Sequence, residues 1–193
     1  GKFVLVTNPD IVFSRSLIDL LAKKNLDEKV FYRADRYDFI GDGMSLVHPK
    51  DYEQFAARHS FQGHMSDNSA KLVRSVDGQK MFPISDPMNV HTNASGDFIL
   101  ASKDAFFKIG GMFFHREFRS HCDSITIYRL LNGGFGQSLI QGPCVFHQEH
   151  ERAPIDPFDF NQGMALSKEK PEEDWGMLSY SFKESFIDET RIL

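Results

Sequence analysis

The chain opens with a short apolar run rich in β-branched residues, Lys2-Phe-Val-Leu-Val-Thr7, placed directly before Asn8-Pro9-Asp10. Such a run favours a buried extended segment, and Asn-Pro-Asp is turn chemistry that ends it. After Ile11-Val12-Phe13, Ser14 is placed to cap a helix. Leu17, Ile18, Leu20 and Leu21 then recur at helical spacing until Lys23-Lys24-Asn25 closes the last turn with positive charge. Strand, loop and helix in immediate succession commit the chain to helices layered on a sheet, with its first residues inside that sheet.

The pattern recurs further along. Val30-Phe31-Tyr32-Arg33 reads as a strand, followed by a charged patch, Asp35-Arg36-Tyr37-Asp38. Over residues 41–89 the periodicity fades, apart from a helix expected over 49–58, so this stretch reads as an irregular insertion of the kind that contacts substrates. Residues 93–101 read as a strand. Ser102 then caps a short helix that Gly110-Gly111 ends, and a second helix spans 123–131, with Ile125, Ile127, Leu130 and Leu131 as its apolar face and Gly133-Gly134 as its stop. Residues 137–141 and 144–148 are both strand-like. Residues 151–193, with their prolines and the acidic run Glu172-Glu173-Asp174, read as a surface-wrapping tail with a short helix near Trp175-Gly176. No internal repeat is visible, and 193 residues fit one α/β domain.

Composition narrows the function classes. Lys plus Arg number 22 against 27 Asp plus Glu, a net charge of -5, which disfavours nucleic acid as a partner. No stretch approaches the roughly 18–20 uninterrupted apolar residues of a membrane span, and no signal-peptide pattern precedes the first strand. Cys122 and Cys144 lack Cys-x-x-Cys spacing, so two free thiols and a cytoplasmic setting are expected. The 19 Phe are more than a core of this size needs, which leaves some rings for a cleft or partner surface.

In α/β folds ligands bind at the carboxyl ends of strands, where three polar clusters fall. Asp10 follows the first strand, as a hard divalent cation with oxygen ligands requires, although a turn or cap role is, from position alone, the simpler account. Asp123 stands near the start of its helix, as a partner of the helix dipole or as a base for an attacking hydroxyl. His147-Gln148-Glu149-His150 closes an apolar strand. In an extended segment that spacing sends the imidazoles to opposite faces, so a two-histidine zinc site is disfavoured and a single histidine ligand remains allowed. The order also differs from the His-Glu-x-x-His of zinc peptidases.

Taken in chain order from Phe3 to His150, these elements resemble the second half of a GT-A type nucleotide-sugar glycosyltransferase close to family 2: a mixed sheet flanked by helices. Asn8-Pro9-Asp10 stands for the Asp-x-Asp element, followed by Ala94-Ser95-Gly96-Asp97-Phe98, the Gly-Gly turn, the helix of Asp123 and the strand ending at His147 to His150. The resemblance implies that Asp10, with His150 or His147, binds a divalent metal, manganese or magnesium. It implies that Asn8, Gly96 and Asp97 face the nucleotide-sugar donor and that Asp123 is the general base for a glycan or other hydroxyl acceptor.

Asn8 stands where that family has an acid and brings no charge. The strand-helix units that hold the nucleotide in such enzymes have no counterpart ahead of Lys2, so the expectation is a fragment or a shortened relative. The sheet edge this exposes would favour self-association. The competing reading is a noncatalytic module of the same fold that binds a glycan or a protein, in which Asp10 and the histidines are ordinary polar residues.

Overall fold

The structure is a computed structural model, and it describes residues 1–23, 25–64, 74–76, 79–82, 95–113, 121–151 and 165–169. It is an α/β fold with a mixed sheet flanked by helices. Among the described residues the strands are β1 (Phe3–Val6), β2 (Ile11–Phe13), β3 (Val30–Ile40), β4 (Ser60–His64), β5 (Arg74–Val76), β6 (Gln79–Phe82), β7 (Ile99–Ser102) and β8 (Gly136–Glu149). The helices are α1 (Arg15–Ala22), α2 (Tyr52–Arg58), α3 (Lys103–Ile109) and α4 (Cys122–Asn132). No helix among these residues is long and apolar enough to cross a membrane.

Along the sheet the order is β1-β7-β3-β8-β6-β5, with β2 also pairing β8 and β4 also pairing β3. β3 and β8 run parallel; the other pairs are antiparallel. Strand alternation divides the core between the two faces. Phe31, Ile99 and Ala101 point to Ala105, Phe106 and Ile109 of α3 and Ile127, Leu130 and Leu131 of α4. Tyr32, Ala34, Phe98 and Leu100 point to the other face, where Leu17 of α1 is fully buried. Burial of such a leucine contributes about 1.5–3 kcal/mol, enough to hold an eight-residue helix that is too short to persist alone. Ser14 caps α1 by accepting from Leu17 N, and Ser102 caps α3 by accepting from Ala105 N. Gly110, at φ 76°, ends α3 in the left-handed conformation that glycine adopts without strain.

Several elements differ from the sequence reading. Among the described residues β1 is an edge strand that pairs with β7 alone, and its Val4 is 40% exposed. β3 does not stop at Arg33: the charged patch continues it to Ile40, where Arg36 and Asp38 meet each other, Asp97 and His147 as described below. The stretch expected as an irregular insertion supplies α2, as expected, and also β4, β5 and β6. The strand expected over 93–101 begins only at Ile99, after a 3-10 turn at Ser95–Asp97.

The two strands expected over 137–141 and 144–148 are one. β8 carries a bulge at which its pairing with β3 passes from Ala34↔Ile140 to Asp35↔Cys144, and Gly142 sits there at φ 88°. Most of the tail, with its expected helix at Trp175, lies outside the described residues. Within 165–169, Leu166 packs on Phe113 and Ile125, and Asn132 Nδ2 donates to Ser167 Oγ.

Candidate metal and transfer site

Strand register brings the polar residues together. His147 of β8 lies opposite Asp38 of β3 on one side and Ile11 of β2 on the other. Asp10, one residue before β2, is held through its backbone carbonyl, which accepts from Gln148 N at 3.0 Å. These pairings set the Asp10 carboxylate against the end of β8. Its Oδ2 is 3.2 Å from His147 Nε2 and 3.1 Å from His150 Nε2. Alternation does not separate the two imidazoles, because β8 ends at Glu149 and His150 has left the strand. The expectation of opposite faces therefore fails for this pair.

His150 is about half exposed, and its Nδ1 is 2.8 Å from the Glu151 carbonyl. That carbonyl first, opposed by burial and joined by Asp10 and Glu149, holds the His150 pKa above the ordinary imidazole value. His147 is 5% exposed, and its Nδ1 lies 3.2 Å from Asp38 Oδ1. Asp38 in turn pairs with Arg36, Nε to Oδ1 at 2.7 Å. Both approaches are bent away from ideal hydrogen-bond directions.

Arg36 reaches the second half of the site. Its Nη1 donates to Asp97 Oδ2 at 2.6 Å, Asn8 Nδ2 donates to Asp97 Oδ1 at 2.8 Å, and Thr7 Oγ1 donates to the Asp97 carbonyl at 2.8 Å. Burial works against the Arg36 charge, yet Asp38 and Asp97 outweigh it and hold its pKa above the ordinary value. Next to Asp97 the backbone closes tightly: a Cβ on Gly96 would stand 3.1 Å from Asn8 Nδ2 and 3.3 Å from Asp123 Oδ2. Any side chain here would press on both groups, which would have to give by a few tenths of an ångström. Asp123 lies in the first turn of α4, which follows His121 at φ 63°, an uncommon conformation for a residue with a side chain. Arg33, fully buried in β3, donates Nε to the Phe98 carbonyl at 2.7 Å. Burial pushes its guanidinium down to about 10, opposed by the charges of Asp123 and Asp97, so it remains a cation at neutral pH.

All seven residues singled out in the sequence, Asn8, Asp10, Gly96, Asp97, Asp123, His147 and His150, thus belong to one run of contacts from α4 to the end of β8. Four other residues, Arg33, Arg36, Asp38 and Glu149, were not singled out. Arg36 and Asp38 form the bridge between the two halves. Their signal was present: opposite charges two residues apart, alternating with Tyr37 and Phe39, mark a strand with a charged face. A cavity of about 350 Å³ between α1 and α2, lined by Ile11, Phe13, Ile18 and Tyr52 among others, includes none of the seven.

The residues fit a divalent cation. Asp10, His147 and His150 offer one oxygen and two nitrogens within 4.8 Å of one another. Metal–ligand bonds of about 2.1 Å place adjacent ligands of an octahedron about 3 Å apart, close to the separations here. Asp10 Oδ1 is buried and accepts no hydrogen bond among the described residues, a state in which a carboxylate oxygen calls for a counter-ion. Two imidazoles in the donor set favour a transition ion over magnesium, which prefers oxygen throughout. Comparisons with protein families, curated proteins and solved structures find no match to this chain.

Proposed function

We propose that the chain is a metal-dependent glycosyltransferase-like protein of GT-A type, which moves a sugar from a nucleoside-diphosphate donor to a hydroxyl acceptor. The observation that carries this reading is the Asp10 carboxylate shared by two imidazoles, at one end of a contact run whose other end is Asp123. Asp10, His147 and His150 would hold manganese. The cation would supply Lewis-acid stabilisation of the charge that grows on the departing diphosphate.

The remaining chemistry belongs to the chain. Five carboxylates (Asp10, Asp38, Asp97, Asp123 and Glu149) face two guanidiniums (Arg33 and Arg36), an excess of negative charge suited to a metal and not to a bare diphosphate. Asp123 takes the proton from the acceptor hydroxyl as the new carbon–oxygen bond forms and the bond to the diphosphate breaks. Asp97, fixed by Arg36 and Asn8, orients the sugar, and Gly96 keeps the backbone low enough for it to approach.

A uridine or guanosine diphosphate sugar should raise the melting temperature in the presence of manganese and not in its absence, and Asp10→Ala should remove the effect. Glycan binding indifferent to both the metal and that substitution would instead establish the noncatalytic module. The donor set also matches that of non-haem iron oxygenases; oxygen uptake with ferrous iron bound, absent the sugar-nucleotide effect, would favour that chemistry.

A further inference from the structure

We propose that Asp38 is a positioning residue for the cation: it fixes which nitrogen of His147 faces the metal. The inference rests on the metal reading above and adds a residue that the resemblance does not supply. A neutral imidazole has one protonated nitrogen and one lone pair, so it binds a cation through Nε2 only when the proton is held on Nδ1 by an acceptor.

The two histidines of the cluster stand differently toward this condition. For His150 the acceptor at Nδ1 is the Glu151 backbone carbonyl, at 2.8 Å. For His147 the nearest is Asp38 Oδ1, at 3.2 Å, directly across the β3–β8 register. Glu149 Oε2 stands farther off, at 4.0 Å, and its side chain is 34% exposed, so it competes poorly. Asp38 itself is 2% exposed and is anchored by Arg36, which Asp97 anchors in turn. The bent approach of Nδ1 to Asp38 is typical of sites whose hydrogen bonds align only when the ligand arrives.

Asp38, His147 and Glu149 also come close enough together to be considered as a second cation site. Two features argue against it. The Asp38 oxygen that a second ion would need is already 2.7 Å from Arg36 Nε, and His147 would have to surrender both nitrogens.

The test is manganese affinity, read from the electron paramagnetic resonance of the free ion, for the whole chain and for Asp38→Asn and Asp10→Ala. Asp38→Asn keeps the shape and removes the charge, and its manganese dissociation constant should rise about 10–100-fold, while Asp10→Ala should bind none. An Asp38→Asn variant that melts at a lower temperature but binds manganese as the parent does would overturn the inference and reduce Asp38 to a partner of Arg36. A parent chain that binds no manganese overturns both the inference and the metal reading, whereas binding lost only in Asp10→Ala overturns the inference alone. Should Asp38→Asn fail to fold, nitrogen–proton correlation spectra of the metal-free parent decide. His147 with its proton on Nδ1 supports the role of Asp38, and a proton on Nε2 overturns it.

Discussion

The Asp97 side of the site and the Asp10 side use the same residue types to opposite ends. Around Asp97 both carboxylate oxygens are occupied, one by Asn8 and the other by Arg36, and its backbone carbonyl accepts from Thr7. Around Asp10 one oxygen is shared by two imidazoles, and the other is buried without a hydrogen bond among the described residues. A closed network contributes its free energy during folding and resists change. An open one sacrifices stability in the free chain and recovers it when a ligand arrives. The first side is therefore held fixed by its own partners, and the second keeps an oxygen available to a ligand.

Substitution at Asp97 puts the contrast to its severest trial. Asp97→Ala leaves the Arg36 guanidinium buried with one partner fewer and should destabilise the chain by about 3–5 kcal/mol, measured by chemical denaturation with no metal present. An intermediate effect belongs to Gly96→Ala. The added methyl meets the Asn8 amide and the Asp123 carboxylate, so a loss of about 1–3 kcal/mol is expected, together with loss of donor-sugar transfer in a product assay. The smallest change in stability should come from Asp10→Asn in the presence of a chelator. Its melting should move by less than about 1 kcal/mol, or rise, since it removes a charge that lacks full compensation. Calorimetry giving Asp10→Asn and Asp97→Ala equal losses would erase the distinction between the two sides.

Local signals carried the parts of the fold that depend on neighbours in sequence. Ser14 and Ser102 announce α1 and α3 by capping, and Gly110 and Gly133 announce the ends of α3 and α4. What lay beyond reach depends on partners distant in the chain. Arg33, Arg36 and Asp38 read as the end of a strand because charge ordinarily seeks water; groups supplied from other elements, among them the Phe98 carbonyl, Asp97, Asp123 and His147, make their burial tolerable. The same reason hides the edge position of β1, whose apolar run does not state how many neighbours it will have. Asp10 and Asp123 drew notice because turns and helix starts at strand ends are where functional groups collect, whereas Asp97 entered through the family resemblance alone. That His147 and His150 share one oxygen depends on where β8 stops.

The bulge at Gly142 also makes the site a matter of phase. Upstream of it β8 pairs with β6, and downstream with β2; three residues of slack, Gln141, Gly142 and Pro143, decide which way the downstream side chains turn. Losing one residue there would rotate His147 toward the opposite layer and bring Phe146 or Gln148 to face Asp38, dismantling the cluster without altering any of its members. For this architecture, insertions and deletions in an ordinary-looking kink far along the chain are as consequential as replacing a ligand.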